Sequence, residues 1–103
     1  MMNFYNLGVF YQDKDMYEES ECYYLCAAAI EPTDWFTFNN LGIVCQEMNA
    51  YNESEEAYLA IKINSEYNIA FNNLGVLYMR TKRYKEAETA FKKAISLKHN
   101  ILF

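Results

Sequence analysis

The sequence predicts an all-α fold: one domain over residues 1–103, built from three stacked helix-turn-helix hairpins (about 1–34, 35–67 and 68–101), a short α-solenoid. Three observations predict it. A five-residue stretch recurs as FYNLG at 4–8, FNNLG at 38–42 and FNNLG at 71–75. Other rows keep the same spacing: Tyr17, Tyr51 and Tyr84; Tyr24, Tyr58 and Phe91; Ser20, Ser54 and Ala87, each shifted by 34 and then 33 residues. A fixed period of this size marks a repeat architecture. Finally, 52% of the chain is hydrophobic and 17% aromatic, enough for a core, while three Gly and one Pro leave few residues for β-hairpin turns.

Each element follows from local spacing. Phe4, Leu7, Gly8 and Tyr11 fall at i, i+3, i+4 and i+7, one face of a helix near 2–13. QDKDM then makes a short polar turn, with Asp15 placed to cap a second helix near 17–30 and Glu18 three residues on. The second hairpin repeats this as helices near 34–47 and 51–63, with Asn49 in the turn. The third gives helices near 67–81 and 84–97. The middle unit is one residue short near 57–64. Removing one residue from a helix rotates the remainder of that helix by ~100°, so irregular geometry is expected around 58–66.

Gly8, Gly42 and Gly75 stand mid-helix, where Gly costs ~1 kcal/mol relative to Ala. Their shared register predicts a close approach of the paired helix, through the small residues Ser20, Ser54 and Ala87, or Ala27 and Ala94. Tyr24, Tyr58 and Phe91 are expected to pack between neighbouring hairpins.

The net charge of −5 is unevenly spread: −6 over residues 1–34, −4 over 35–67 and +5 over 68–103. An acidic balance disfavours nucleic acid as the main partner. The opposite ends could dock on one another or on a partner. Three cysteines form an odd set, and Cys22 and Cys26, one helical turn apart, are badly placed for a disulfide. Reduced thiols and a cytoplasmic setting are expected. The N-terminal stretch lacks the basic region and apolar core of a signal peptide, and no run is long enough for a membrane helix.

Chemistry is sparse. His99 has no acid or thiol at ligand-like spacing, and there is no phosphate loop, dinucleotide motif or zinc-protease motif. No catalytic residue, metal or cofactor is expected. Cys45 lies on a core row and reads as a small buried hydrophobe.

Phe4-x-x-Leu7-Gly8-x-x-Tyr11, followed by Ser20-x-x-x-Tyr24 and Pro32, resembles the tetratricopeptide repeat, and the resemblance covers almost the whole chain. Phe71-x-x-Leu74-Gly75-x-x-Tyr78 with Ala87 and Phe91 follows the same pattern. The middle unit keeps Phe38, Leu41, Gly42, Ser54 and Tyr58 but has Cys45 in place of the tyrosine. The motif's usual Trp is Phe each time, and Ser65 and His99 stand near the other closing-Pro positions.

The resemblance implies a right-handed superhelix whose first helices line a concave groove for an extended peptide or a helix of a partner protein. The positions flanking each Leu-Gly pair would face it: Tyr5, Asn6 and Val9; Asn39, Asn40 and Ile43; Asn72, Asn73 and Val76. One turn on are Gln12, Gln46 and Met79, with Arg80 beside the last, and Phe36 and Ile69 lie at the other end. An amide donates and accepts, so a row of Asn suits a peptide backbone. Chaperone-adaptor relatives clamp a carboxylate with Lys and Arg on these helices. Tyr5, Val9, Ile69 and Asn73 stand at those clamp positions, and only Asn40 fits, so acidic chaperone tails are not expected ligands. A structural role is the alternative: a self-associating unit, a part of a longer array or an appendage of a larger protein, suggested by the charge asymmetry and the apolar ILF at 101–103.

Overall fold

The structure, a computed structural model, describes residues 3–64 and 68–102, with side chains described except at 62–64 and 97–102. Six helices succeed one another: α1 (Phe4–Asp13), α2 (Tyr17–Ile30), α3 (Trp35–Glu47), α4 (Tyr51–Asn64), α5 (Asn68–Arg80) and α6 (Tyr84–Leu102). Each packs on the next in chain order, forming three antiparallel hairpins. The expected helix boundaries hold closely except that α6 continues to Leu102. The irregularity expected around 58–66 is not found in α4, which stays helical through Asn64. Residues 65–67, with Ser65, lie outside the described part, as do Phe103 and the side chains of His99, Ile101 and Leu102.

The helix starts depart in part from expectation. Asn3 caps α1 by accepting from the Asn6 backbone N–H at 2.8 Å, and Asp34 caps α3 by accepting from the Phe36 N–H at 3.1 Å. Asp15 does not cap α2; the residue at that position is Met16, without a side-chain cap. Asp15 instead takes a left-handed backbone (φ 59°), as do Asn49 (φ 61°) and Lys82 (φ 63°) in the same register. At each turn the next N–H reaches back five residues: Met16 to Tyr11, Ala50 to Cys45 and Arg83 to Tyr78, at 2.9, 2.8 and 2.7 Å. This pairing closes a helix with its last carbonyls satisfied. The Asp15 carboxylate and the Asn49 amide oxygen then accept from the hydroxyls of Tyr17 and Tyr51.

The three glycines have a common structural cause. A methyl group on Gly8 would come within 2.5 Å of the Tyr24 ring, and one on Gly75 within 2.6 Å of the Phe91 ring; at Gly42 it would run into the ring of Tyr58. The aromatic ring of the paired helix, more than its small residues, fills the place of the missing side chain. The small residues do approach: the Ser20 and Ser54 hydroxyls donate to the carbonyls of Gly8 and Gly42, both at 2.7 Å. Tyr24 and Tyr58 also join the core of the following hairpin, in line with the sequence-based expectation.

Burial of the Phe-x-x-Leu-Gly face rises along the chain. Phe4 is 40% exposed, Phe38 half-buried and Phe71 only 6% exposed. That face meets the preceding hairpin, and the first hairpin has none before it among the described residues.

Candidate functional site

The first helices α1, α3 and α5 carry all of the candidate groove residues. Asn6, Phe36, Ile69, Asn72, Val76, Met79 and Arg80 are exposed. Tyr5, Val9, Gln12, Asn39, Asn40, Ile43 and Asn73 are half-buried, and Gln46 is buried.

The asparagines form a ladder between hairpins. Asn40 Nδ2 donates to the Tyr5 hydroxyl at 3.1 Å across the first joint. Asn73 Nδ2 donates to Asn39 Oδ1 at 2.7 Å across the second. The geometry is the same at both joints: the second amide of a hairpin reaches back to the first flanking position of the hairpin before it. Val9 and Ile43 also belong to these joints, packed against the cores of the second and third hairpins.

Glutamines tie the first two hairpins internally. The Tyr24 hydroxyl donates to Gln12 Oε1 at 2.5 Å. Tyr58 Oη lies 3.3 Å from the Gln46 amide in the equivalent place. The amide orientation that turns Gln46 Oε1 toward Arg80 accepts from Nε at 3.2 Å and from Nη1 at 3.3 Å. In the third hairpin both partners change together, to Met79 and Phe91, and the polar pair becomes an apolar one. Burial pushes the hydroxyls of Tyr24 and Tyr58 up to about 12.

A second line across the joints lay outside the sequence-based expectations. The Cys45 thiol donates to Glu21 at 3.5 Å, and the Tyr78 hydroxyl to Glu55 at 2.8 Å. The residue that departs from the repeat pattern therefore uses the same carboxylate position as the tyrosine it replaces. Burial, then the charge of Glu21, pushes the Cys45 thiol up to about 12. Burial, then the bond to Glu55, does the same for Tyr78. Arg83 donates to Glu55 at 2.8 Å and to Glu86 at 2.9 Å, with its guanidinium 4.4 Å over the Tyr78 ring. The Arg83 bond, helped by Tyr78, holds the Glu55 carboxyl below its ordinary range. The signal was present as Glu21, Glu55 and Glu88, which keep the repeat spacing.

Two clefts also open between second helices. One, of 340 Å³, lies over Leu41 and Cys45 with Glu21, Glu53 and Glu56 at its edge. Its counterpart one hairpin on, of 540 Å³, lies over Leu74 and Tyr78 and is edged by Lys85, Glu86 and Lys93. Cys22 and Cys26 are exposed and free. Among the described residues no helix is long and apolar enough to cross a membrane, and no three His, Cys, Asp or Glu side chains gather to hold a metal.

Residues 69–101, the third hairpin, match the family model of the tetratricopeptide repeat. The third hairpin is a tetratricopeptide repeat. The first two share its register and its glycine contact, so three hairpins of one fold stack along the chain. Solved structures agree in fold. A crystal structure of MamA superposes with a TM-score of 0.91 at 24% identity, covering 96% of this chain and 58% of that one. The second TPR domain of Spaghetti (RPAP3), bound to an HSP90 peptide, gives 0.83 at 20% identity over 91% of this chain and 88% of that one. The Sgt2 TPR domain from Aspergillus fumigatus gives 0.85 at 21% identity over 94% and 65%. No curated protein sequence matches the chain.

Proposed function

We propose that this tetratricopeptide array is a non-catalytic protein-interaction module, and that α1, α3 and α5 line a concave groove for an extended peptide or a helix of a partner protein. One observation carries the reading: Phe36 and Ile69, in one register on successive first helices, are 52% and 45% exposed, with Met79 51% exposed one hairpin end away. Large apolar side chains at repeat spacing suit the alternate side chains of a bound segment. Asn40 and Asn73 each spend one N–H on a neighbour, leaving an oxygen and a second N–H for a peptide backbone. The Spaghetti domain, similar in fold, is bound to an HSP90 peptide, which supports a peptide ligand in general. An acidic tail is not the ligand proposed, because Tyr5, Val9, Ile69 and Asn73 occupy the positions of a carboxylate clamp.

The test is a peptide-display selection on the wild-type chain. Selected peptides should bind Phe36→Asp/Ile69→Asp at least about tenfold more weakly, about 1.4 kcal/mol, while circular dichroism stays unchanged. Equal binding by a folded variant, or failure to select any peptide, overturns the groove. This pair is a cleaner probe than Asn40 and Asn73, whose amides also hold the joints.

A further inference from the structure

The two joints inside the chain obey one rule. The earlier hairpin accepts and the later one donates, through Asn40 to Tyr5 and Asn73 to Asn39. Beside that line runs a second, Cys45 to Glu21 and Tyr78 to Glu55. Tyr17 and Tyr51, in one register, pack against the core of the next hairpin along the chain. On the later side Val44 and Leu77 are 0% and 1% exposed.

Both halves of the rule recur on the outer surfaces. The third hairpin presents Asn72 in register with Tyr5 and Asn39, Glu88 with Glu21 and Glu55, and Tyr84 with Tyr17 and Tyr51. Tyr84 is 61% exposed, and Glu88 holds only a loose, exposed ion pair to Lys92 at 3.8 Å. The first hairpin presents the complementary half: Asn6 in register with Asn40 and Asn73, Tyr11 with Cys45 and Tyr78, and Phe10 with Val44 and Leu77. Phe10 is 45% exposed. It lies edge-on to Tyr11, which stacks on Tyr23, which stacks on Phe4, so four aromatic rings adjoin where the third hairpin has the buried Phe71, Leu77, Tyr78 and Ala90.

We propose that the first hairpin of one copy of this chain docks on the third hairpin of another, head to tail, with Asn6 donating to Asn72 and Tyr11 to Glu88. Charge complementarity favours a second copy as the occupant, since residues 1–34 carry −6 and residues 68–103 carry +5. The contact joins two different surfaces and does not close on itself, so it yields open chains of copies. The contact shares Asn6 and Asn72 with the groove, but its test does not depend on the groove, since neither Phe10 nor Tyr84 belongs to it.

Sedimentation velocity across concentration tests it, at about 10 mM and about 1 M salt, where the screening length falls from about 30 Å to about 3 Å. The wild-type mass should rise past a dimer with concentration at low salt and fall back at high salt. Phe10→Glu and Tyr84→Glu each spoil one of the two surfaces at an exposed position, and each should stay folded and monomeric alone. Mixed, they retain one good contact between them and should form a one-to-one dimer and nothing larger. A monomeric wild type at low salt, variants that assemble like the wild type, or a mixture that fails to dimerise overturns the proposal.

Discussion

Asn73 and Asn39 meet across the joint between the second and third hairpins, the amide N–H of one donating to the amide oxygen of the other at 2.7 Å. A net hydrogen bond of this kind contributes about 1 kcal/mol. Asn73→Ala should therefore lower unfolding stability in urea by about that much, with helical content unchanged. Combined with Asn39→Ala, the loss should fall short of the sum of the single losses, because both remove one bond.

Gly42 and Gly75 should respond differently to alanine. Alanine gains about 1 kcal/mol of helix propensity at either site. At Gly42 the new methyl strikes the ring of Tyr58, which is 1% exposed and has nowhere to go. Overpacking costs typically 1–3 kcal/mol, so Gly42→Ala should be net destabilising by thermal melting. At Gly75 the ring is that of half-buried Phe91, which can shift outward, and the loss should be smaller.

Gln46 and Tyr58 act as a pair. Tyr58→Phe alone strands the buried Gln46 amide, at a cost of about 1–3 kcal/mol. The double change Gln46→Met/Tyr58→Phe copies Met79 and Phe91 of the third hairpin and should recover most of the loss. Chemical denaturation of the three variants measures the recovery directly.

Acid should loosen the second joint first. The folded Glu55 carboxyl is held low by Arg83, and then by Tyr78, against the opposing effect of burial. A depressed folded value means that this stability is present above the unfolded pKa of about 4.3 and is lost as pH falls through the folded value. Stability measured from pH 7 downward should drop less steeply in Arg83→Met than in the wild type. At the other extreme, the buried tyrosines raised to about 12 favour the folded state below about 10, and that contribution is lost as pH rises toward 12.

The thiols should separate by rate. Cys22 and Cys26 are exposed, whereas Cys45 is 1% exposed and its thiol is pushed up to about 12. A disulfide reagent at mildly alkaline pH should titrate the first two quickly and reach Cys45 only on unfolding.

The fold was legible because its causes are periodic. Tyr24, Tyr58 and Phe91 recur at the spacing of the glycines they cover, and Asn49 announces its own turn. Lys82 does not: a lysine gives no hint of a left-handed backbone, which the tight connection between α5 and α6 imposes. Asp15 misled because the same residue type serves a helix start and a left-handed turn. At the candidate site, the sequence placed Asn40 and Asn73 beside the packing row, but only three-dimensional register reveals Tyr5 and Asn39 as their partners. The pairing of Cys45 with Glu21 was hidden for the same reason.

The gradient of burial gives the array a weak end. In α1 only Gly8 is buried, while α5 buries Ala70, Phe71, Leu74, Gly75, Leu77 and Tyr78. A linear stack whose links are unequal opens at its loosest link, without waiting for global unfolding. The amide hydrogens of α1 should exchange with solvent ahead of those of α5, with opening that starts at the first hairpin.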